Sequence, residues 1–178
     1  MRWLWAALMS GLPMVLLAQV AEPEGYRTQQ YRAAVPSELS GGTVITTPEA
    51  EALWREGRAA FVDVLPQAPK PANLPEGTIW RDKPRHSIPG AIWLPNTGYG
   101  ALADVTLDYF LSGLYAASGG NKAHPLVFFC LEECWMSYNA ARRALELGYK
   151  DVSWYPDGTD GWTFFDLPTE QIKPFPEE

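Results

Sequence analysis

The feature that most constrains the fold is the alternation of short apolar segments with segments of helical character. Residues 59–64, 125–129 and 151–155 have the length of buried strands, and 125–129 is apolar throughout, as is typical of a central parallel strand. Helical segments alternate with them at 47–57, 104–117 and 137–147. This order predicts an α/β protein with a central parallel sheet flanked by helices.

Local signals mark where the helices begin and end. Thr47 precedes Pro48 and Glu49, which predicts an oxygen cap, a proline in the first turn and an acidic residue near the positive end of the helix dipole. Gly148 lies where a helix-ending glycine is expected after 137–147. The proline-rich segment 65–87 is long for a connection, which is typical of a functional or mobile loop.

The N-terminal segment has the pattern of a signal peptide. Arg2 precedes a short apolar run from Trp3 to Ala18, and small residues follow. An uncleaved membrane anchor is the alternative. We expect an exported protein without a membrane span in its mature form, located in the periplasm. The predicted organisation is signal peptide 1–21, N-terminal arm 22–42, α/β domain 43–165 and an irregular C-terminal tail 166–178.

Composition excludes several classes of protein. The apolar fraction of 47% and charged fraction of 20% indicate a globular chain. A net charge of −7 argues against nucleic-acid binding, which requires a basic surface. The same acidic balance offers no electrostatic attraction to an anionic membrane surface.

Cysteine chemistry is confined to one loop. Cys130 and Cys134 are the two cysteines of the chain, separated by three residues. A disulfide across so short a loop removes little entropy from the unfolded chain, so it is a poor device for stabilising a fold. The pair therefore favours redox or sulfur chemistry, with a fixed structural disulfide as the alternative.

Four segments together resemble the rhodanese family. They are AFVDV at 60–64 with Asp63 near its carboxyl end, HSIPGA at 86–91, LVFFC ending at Cys130 with the following helix SYNAARRALELGY, and DVSWYPDGTDGW at 151–162. The resemblance covers residues 43–165 and implies a rhodanese-like fold with the catalytic cysteine at position 130. The segment CLEECWMSYNAARRALELGY resembles more specifically the PQQ-dependent catabolism-associated CXXCW-motif proteins, whose name implies two spacer residues where this chain has three.

That narrower resemblance implies a periplasmic role beside quinoprotein alcohol oxidation. The partners it implies are a periplasmic redox partner, a quinoprotein dehydrogenase or components of alcohol transport. It leaves open whether the protein is an enzyme, either a sulfurtransferase or a thiol–disulfide redox protein.

The residues of the loop 130–136 favour some activities of the family over others. Amide groups at the start of the predicted helix should lower the pKa of Cys130, which favours it as the nucleophile with Cys134 as the resolving thiol; the sequence leaves open which of the two attacks first. Glu132 and Glu133 add negative charge beside the thiols and should repel anionic sulfur donors such as thiosulfate. Met136 occupies the position where phosphatase relatives of the family carry arginine, which argues against phosphatase activity.

Other residues complete the set of candidates. Asp63 either orients a loop donor, accepts a proton near the thiol, or is a strand-end carboxylate satisfied by backbone amides.

The thiols with His86 and Met136 are a candidate copper site, although a surface role for His86 is the alternative. Trp135, Trp154 and Trp162 are candidates for stacking a quinone, or for core packing. The loop and pocket residues are Leu131, Glu132, Glu133, Trp135, Met136, Ser137, His86, Trp154 and Trp162.

Three functions remain open from the sequence. The leading hypothesis is exchange of disulfide or sulfane sulfur through Cys130 and Cys134. The second is a non-catalytic module that binds a cofactor, metal or partner and holds a structural disulfide. The third is a thiosulfate sulfurtransferase.

Overall fold

The computed structural model describes residues 20–176. The predicted signal peptide lies outside the described residues except for its last two positions. Within residues 20–176, no helix is both long enough and apolar enough to cross a bilayer.

The chain alternates strands and helices as the sequence predicts. The elements are β1 Thr43–Val44, α1 Thr47–Arg55, β2 Ala60–Asp63, β3 Arg85–Ser87, β4 Ile92–Trp93, α2 Asp104–Ser118, β5 Leu126–Phe129, α3 Trp135–Glu146, β6 Val152–Tyr155, α4 Gly158–Phe164 and β7 Glu170–Ile172. Five strands form one sheet in the order β1-β6-β5-β2-β4, and every pairing in it is parallel. The predicted α/β class with a central parallel sheet is confirmed.

Strand β5 lies at the centre of this sheet, and both of its faces are covered. Phe128 faces a cluster that includes residues of α2 and α3, whereas Phe129 faces a second cluster with Phe61 and Trp162. A strand buried on both faces needs apolar side chains at every position, because successive residues point in opposite directions. The uninterrupted apolar run of the sequence follows from this position.

The start of α1 differs from the prediction by one residue. The cap is Thr46, whose backbone and side chain contact the Glu49 carboxylate in a capping box. Thr47 is instead the first helical residue, and its buried hydroxyl lies 2.9 Å from the Tyr155 hydroxyl. Thr46 and Thr47 both carry a hydroxyl that could cap the helix. Thr46 is the cap because it lies three residues before Glu49, the spacing that a capping box requires.

The C-terminal tail is not wholly irregular. It contributes β7, which pairs with β3 in a separate two-stranded antiparallel sheet, Arg85 lying opposite Ile172. Both strands have three residues, too few for an alternating pattern to be recognised. This small sheet fixes the end of the long proline-rich loop beside the carboxyl edge of the main sheet.

The N-terminal arm packs on α3. Leu39 is buried in the same cluster as the cysteines, and the Arg142 guanidinium donates to the carbonyls of Pro23, Glu24 and Gly25. These contacts satisfy backbone oxygens of a segment that has no secondary structure of its own. The arm is therefore part of the folded domain.

Gly158, at the turn from β6 to α4, lies against the loop that follows β5. Its φ is +54°, and a Cβ atom there would lie 2.6 Å from the carbonyl oxygen of Cys130 and 2.7 Å from the carbonyl carbon of Leu131. Those atoms belong to backbone and cannot rotate away. The position therefore requires glycine both for its conformation and for close packing.

We expect Gly158→Ala to lower the free energy of unfolding by about 3 kcal/mol, because it adds a backbone clash to the cost of a left-handed alanine. Gly57→Ala is the matched control, since its φ is +60° and a Cβ there meets no atom within 4 Å; it should cost about 1 kcal/mol. Urea unfolding of both variants measures the difference. Equal losses would show that the close approach to Cys130 contributes nothing.

Candidate active site

The two cysteines lie at the carboxyl edge of the parallel sheet. Cys130 directly follows β5, and Cys134 is the N-cap residue of α3. In sheets of this kind, ligands bind where the strands end and the helices begin. The structure thus brings both thiols to the edge at which function is expected.

Both cysteines are reduced and in contact. Neither forms a disulfide, and the Cys130 thiol donates a hydrogen bond to the Cys134 sulfur. Their exposed fractions are 0% for Cys130 and 2% for Cys134. The two sulfurs are therefore close enough for one to attack a disulfide or persulfide formed on the other. Both are buried, so solvent does not reach them.

The environment assigns different protonation states to the two sulfurs. The hydrogen bond from Cys130 lowers the pKa of Cys134 to about 7, assisted by the backbone amides of Met136, Leu131 and Ser137. Burial raises the pKa of Cys130 well above its ordinary value, and the charges of Cys134 and Asp63 add to the effect.

These surroundings favour ionisation of Cys134 over ionisation of Cys130. The sequence predicts a lowered pKa for Cys130, and that prediction is wrong, because the amides at the start of α3 converge on the N-cap side chain of Cys134 rather than on the residue that ends the strand. The exposed side chains of Glu132 and Glu133 face water, which screens their charges.

Asp63 is fully buried and receives three hydrogen bonds. The donors are Arg85 Nε at 2.7 Å, Ser87 Oγ at 2.5 Å and the backbone amide of Leu65 at 2.9 Å. The carboxylate is thus neutralised by an arginine, as a buried charge must be, rather than by amides alone. Its position beside the loop raises the pKa of Cys130.

Arg85 is a site residue that the sequence analysis missed. Besides pairing with Asp63, its guanidinium donates to the Cys130 carbonyl at 3.4 Å and to Thr159 Oγ1 at 3.3 Å. The backbone amide of Thr159 donates to the same carbonyl at 3.0 Å. The buried position expected for Asp63 at a strand end indicates that a cation lies nearby, but it does not indicate which arginine or lysine supplies that cation.

The tryptophans expected to form a stacking surface are core residues. The indole N–H of Trp135 donates to the Ala34 carbonyl, that of Trp154 to Ser137 Oγ and that of Trp162 to the Pro168 carbonyl. All three are nearly or fully buried, and Trp162 belongs to the cluster on the opposite face of the sheet from the cysteines. These residues do not fit a quinone site.

The expected copper ligands are not brought together. His86 is exposed on β3, opposite Gln171, and Met136 is buried in the core. Residues 20–176 contain no group of three or more His, Cys, Asp or Glu side chains able to hold a metal ion. His86 therefore has the surface position that was the alternative to a ligand.

The N-terminal arm covers the thiol loop. Arg32 forms an isolated β-bridge with Cys134, and the Trp135 amide donates to the Tyr31 carbonyl at 2.9 Å. The Arg27 guanidinium lies 5.0 Å from the centre of the Trp135 ring, and Arg32 is 3.9 Å from the Asp160 carboxylate. Because the arm lacks periodicity, its sequence carried no signal of this position.

No protein-family model matches the chain, and no curated protein is similar enough to count as a match. Among solved structures, EanB with a persulfidated cysteine and ergothioneine matches at a TM-score of 0.50 and 21% identity, over 80% of this chain and 34% of EanB. The polysulfide-sulfur transferase homodimer from Wolinella succinogenes matches at 0.47 and 16%, over 78% and 85% of the two chains. The human single-domain sulfurtransferase TSTD1 matches at 0.41 and 23%, over 69% and 96%. With its parallel sheet and helices on both faces, the chain has the rhodanese-like fold.

Proposed function

We propose that this protein exchanges sulfane sulfur or disulfide bonds through Cys134 and Cys130. The observation that carries the proposal is a pair of free thiols in hydrogen-bond contact at the start of α3, which holds the pKa of Cys134 at about 7. A thiolate with a pKa near the ambient pH combines a high ionised fraction with good nucleophilicity.

Disulfide exchange would proceed in two steps. The Cys134 thiolate attacks one sulfur of a substrate disulfide, and the other substrate sulfur leaves as a thiolate that takes a proton. Cys130 then loses its proton and attacks the Cys134 sulfur, which releases the second substrate thiol and forms the Cys130–Cys134 disulfide. The substrate disulfide is reduced by two electrons, and the cysteine pair is oxidised by two.

Sulfur transfer would use the same thiolate. Cys134 attacks the outer sulfur of a substrate persulfide, which leaves a Cys134 persulfide and a substrate thiol. Attack by Cys130 on the inner sulfur of that persulfide then releases hydrogen sulfide and closes the disulfide. Cys130 is thus the resolving thiol in both reactions, because its raised pKa keeps it protonated until Cys134 has reacted.

We extend this proposal to an exported protein that serves PQQ-dependent alcohol catabolism with a periplasmic redox partner, a quinoprotein dehydrogenase or alcohol transport components. The support is the resemblance of the cysteine segment to the CXXCW-motif proteins, together with the signal-peptide pattern of residues 1–21.

A binding module with a fixed disulfide is the second candidate. The burial of both sulfurs beneath the arm favours it, because a catalytic pair must be reached by its substrate. Thiosulfate sulfurtransfer is supported less well, since the Arg85 guanidinium is already engaged by Asp63, Thr159 and a backbone carbonyl.

Titration of the thiolate tests the assignment. In the reduced protein, the ultraviolet absorbance of the thiolate should rise with a midpoint near pH 7, since Cys134 loses its proton as the pH rises through its pKa of about 7. Cys130→Ala should move the midpoint upward, because the donated hydrogen bond is lost. Cys134→Ala should abolish the neutral transition. A neutral midpoint that survives in Cys134→Ala and disappears in Cys130→Ala would assign the thiolate to Cys130.

Sulfur loading tests the function itself. After incubation with glutathione persulfide, mass spectrometry of Cys130→Ser should find one added sulfur atom on Cys134, because the resolving thiol is absent. The wild-type chain should instead release sulfide and accumulate the Cys130–Cys134 disulfide. Cys134→Ser is the matched control and should remain unmodified. A wild-type protein that neither gains sulfur nor oxidises under these conditions would favour the binding module.

Alkylation kinetics test whether the arm limits access. Tyr31→Ala removes a ring that packs on Tyr99 at 5.4 Å and a hydroxyl that accepts from the Gly100 amide. We expect alkylation of Cys134 by iodoacetamide to become about tenfold faster, which corresponds to about 1.4 kcal/mol of easier local opening. Tyr115→Ala, at an exposed site on α2, should leave the rate unchanged. The same rate in both variants would mean that substrates reach the thiols by another route.

A further inference from the structure

A cleft of about 660 Å³ lies beside the thiol loop. Its walls come from the segment after β2, the proline-rich loop, β3, β4 and Leu131, the residue that follows Cys130. The volume falls within the range of small-molecule sites. The thiol chemistry described above makes no use of this space.

The body of the cleft is apolar and aromatic. Trp80 and Trp93 line it, and the indole N–H of each is already satisfied, by the Asp82 carboxylate at 3.0 Å and by the Leu65 carbonyl at 2.7 Å. The rings therefore offer apolar surface to the cleft without demanding a polar partner there.

The charged residues that line the cleft are all basic. They are Arg81, Lys83 and Arg85, in a chain with 21 Asp and Glu residues and 14 Lys and Arg residues. Arg85 is neutralised by Asp63, so the remaining positive charge of the lining comes from Arg81 and Lys83. Asp82, which lies between them in sequence, is the nearest carboxylate: it accepts the Trp80 indole N–H and lines an adjoining depression with Lys70 and Tyr99. Two cations beside one carboxylate leave a net positive charge.

Arg81 differs from the other arginines in having no partner. Within residues 20–176, it is the one arginine whose guanidinium makes no hydrogen bond or ion pair with the chain. The arginines with partners are Arg27, Arg32, Arg55, Arg58, Arg85, Arg142 and Arg143. A guanidinium left free at the edge of an aromatic cleft can pair with a carboxylate in two parallel hydrogen bonds.

We propose that this cleft binds a small organic anion whose aromatic or aliphatic body packs against Trp80 and Trp93 and whose carboxylate pairs with Arg81 and Lys83. The bound molecule would lie against Leu131 and hence beside the thiol loop. This site goes beyond the proposed thiol exchange and does not depend on it, because binding requires neither Cys130 nor Cys134 to react.

The experiment follows the indole N–H resonances of the full, reduced chain by nuclear magnetic resonance, with Trp80 and Trp93 identified from Trp→Phe variants. The probes are 2-naphthoate and the neutral analogue 2-naphthalenemethanol. We expect 2-naphthoate to shift both resonances saturably and to bind about tenfold more tightly than the alcohol, since the two differ in the carboxylate. Its affinity should fall as salt is added.

The matched variants are two double substitutions of exposed basic residues. Arg81→Gln/Lys83→Gln should weaken 2-naphthoate about tenfold and leave 2-naphthalenemethanol unchanged. Arg58→Gln/Lys150→Gln removes the same charge elsewhere on the surface and should leave both probes unchanged. Equal binding of the two probes, an equal loss in the two double variants, or shifts that bypass Trp80 and Trp93 would each overturn the proposal. None of these results depends on sulfur loading, so the failure of one proposal is distinguishable from the failure of the other.

Discussion

The buried ion pair between Asp63 and Arg85 organises the carboxyl edge of the sheet. It joins the end of β2 to β3, and through the guanidinium it reaches the Cys130 carbonyl and Thr159 at the start of α4. A carboxylate with no exposed surface is stable only while its cation and its other donors remain in place. The backbone of the thiol loop is therefore held by an interaction in which no sulfur takes part.

The two thiols are in contact with one another, but the groups around each of them shift their pKa values in opposite directions. Cys130 ends a strand among apolar residues and faces the negative charge of Asp63, whereas Cys134 caps a helix and receives its amides. The pKa of Cys134 accordingly lies below that of Cys130. The arm that crosses Cys134 adds a barrier to access, so reactivity at this site depends on local opening as much as on pKa.

Much of the fold could be predicted because its signals are local. The apolar run of β5, the spacing within α2 and the glycine after α3 each lie within a few residues of the feature that they predict. Elements without such a signal were missed, namely the three-residue strands β3 and β7 and the packing of the N-terminal arm. Their stability comes from partners distant in sequence, and neither length nor periodicity reveals them.

By itself the sequence determined a parallel α/β sheet and a pair of thiols at the start of a helix, since strand length, helix spacing and a three-residue separation are properties of short segments. Only the tertiary structure decided which sulfur carries the charge, which cation neutralises Asp63, that Trp162 lies on the far face of the sheet, and that the arm covers Cys134. Most of these outcomes depend on contacts between residues 22 to more than 100 positions apart, such as Arg85 with Asp63 and Trp135 with Ala34. The difference between the two thiols depends on groups close in sequence, but on how the folded loop orients them. A pattern within one segment contains no information about such contacts, because each is set by the packing of the whole chain.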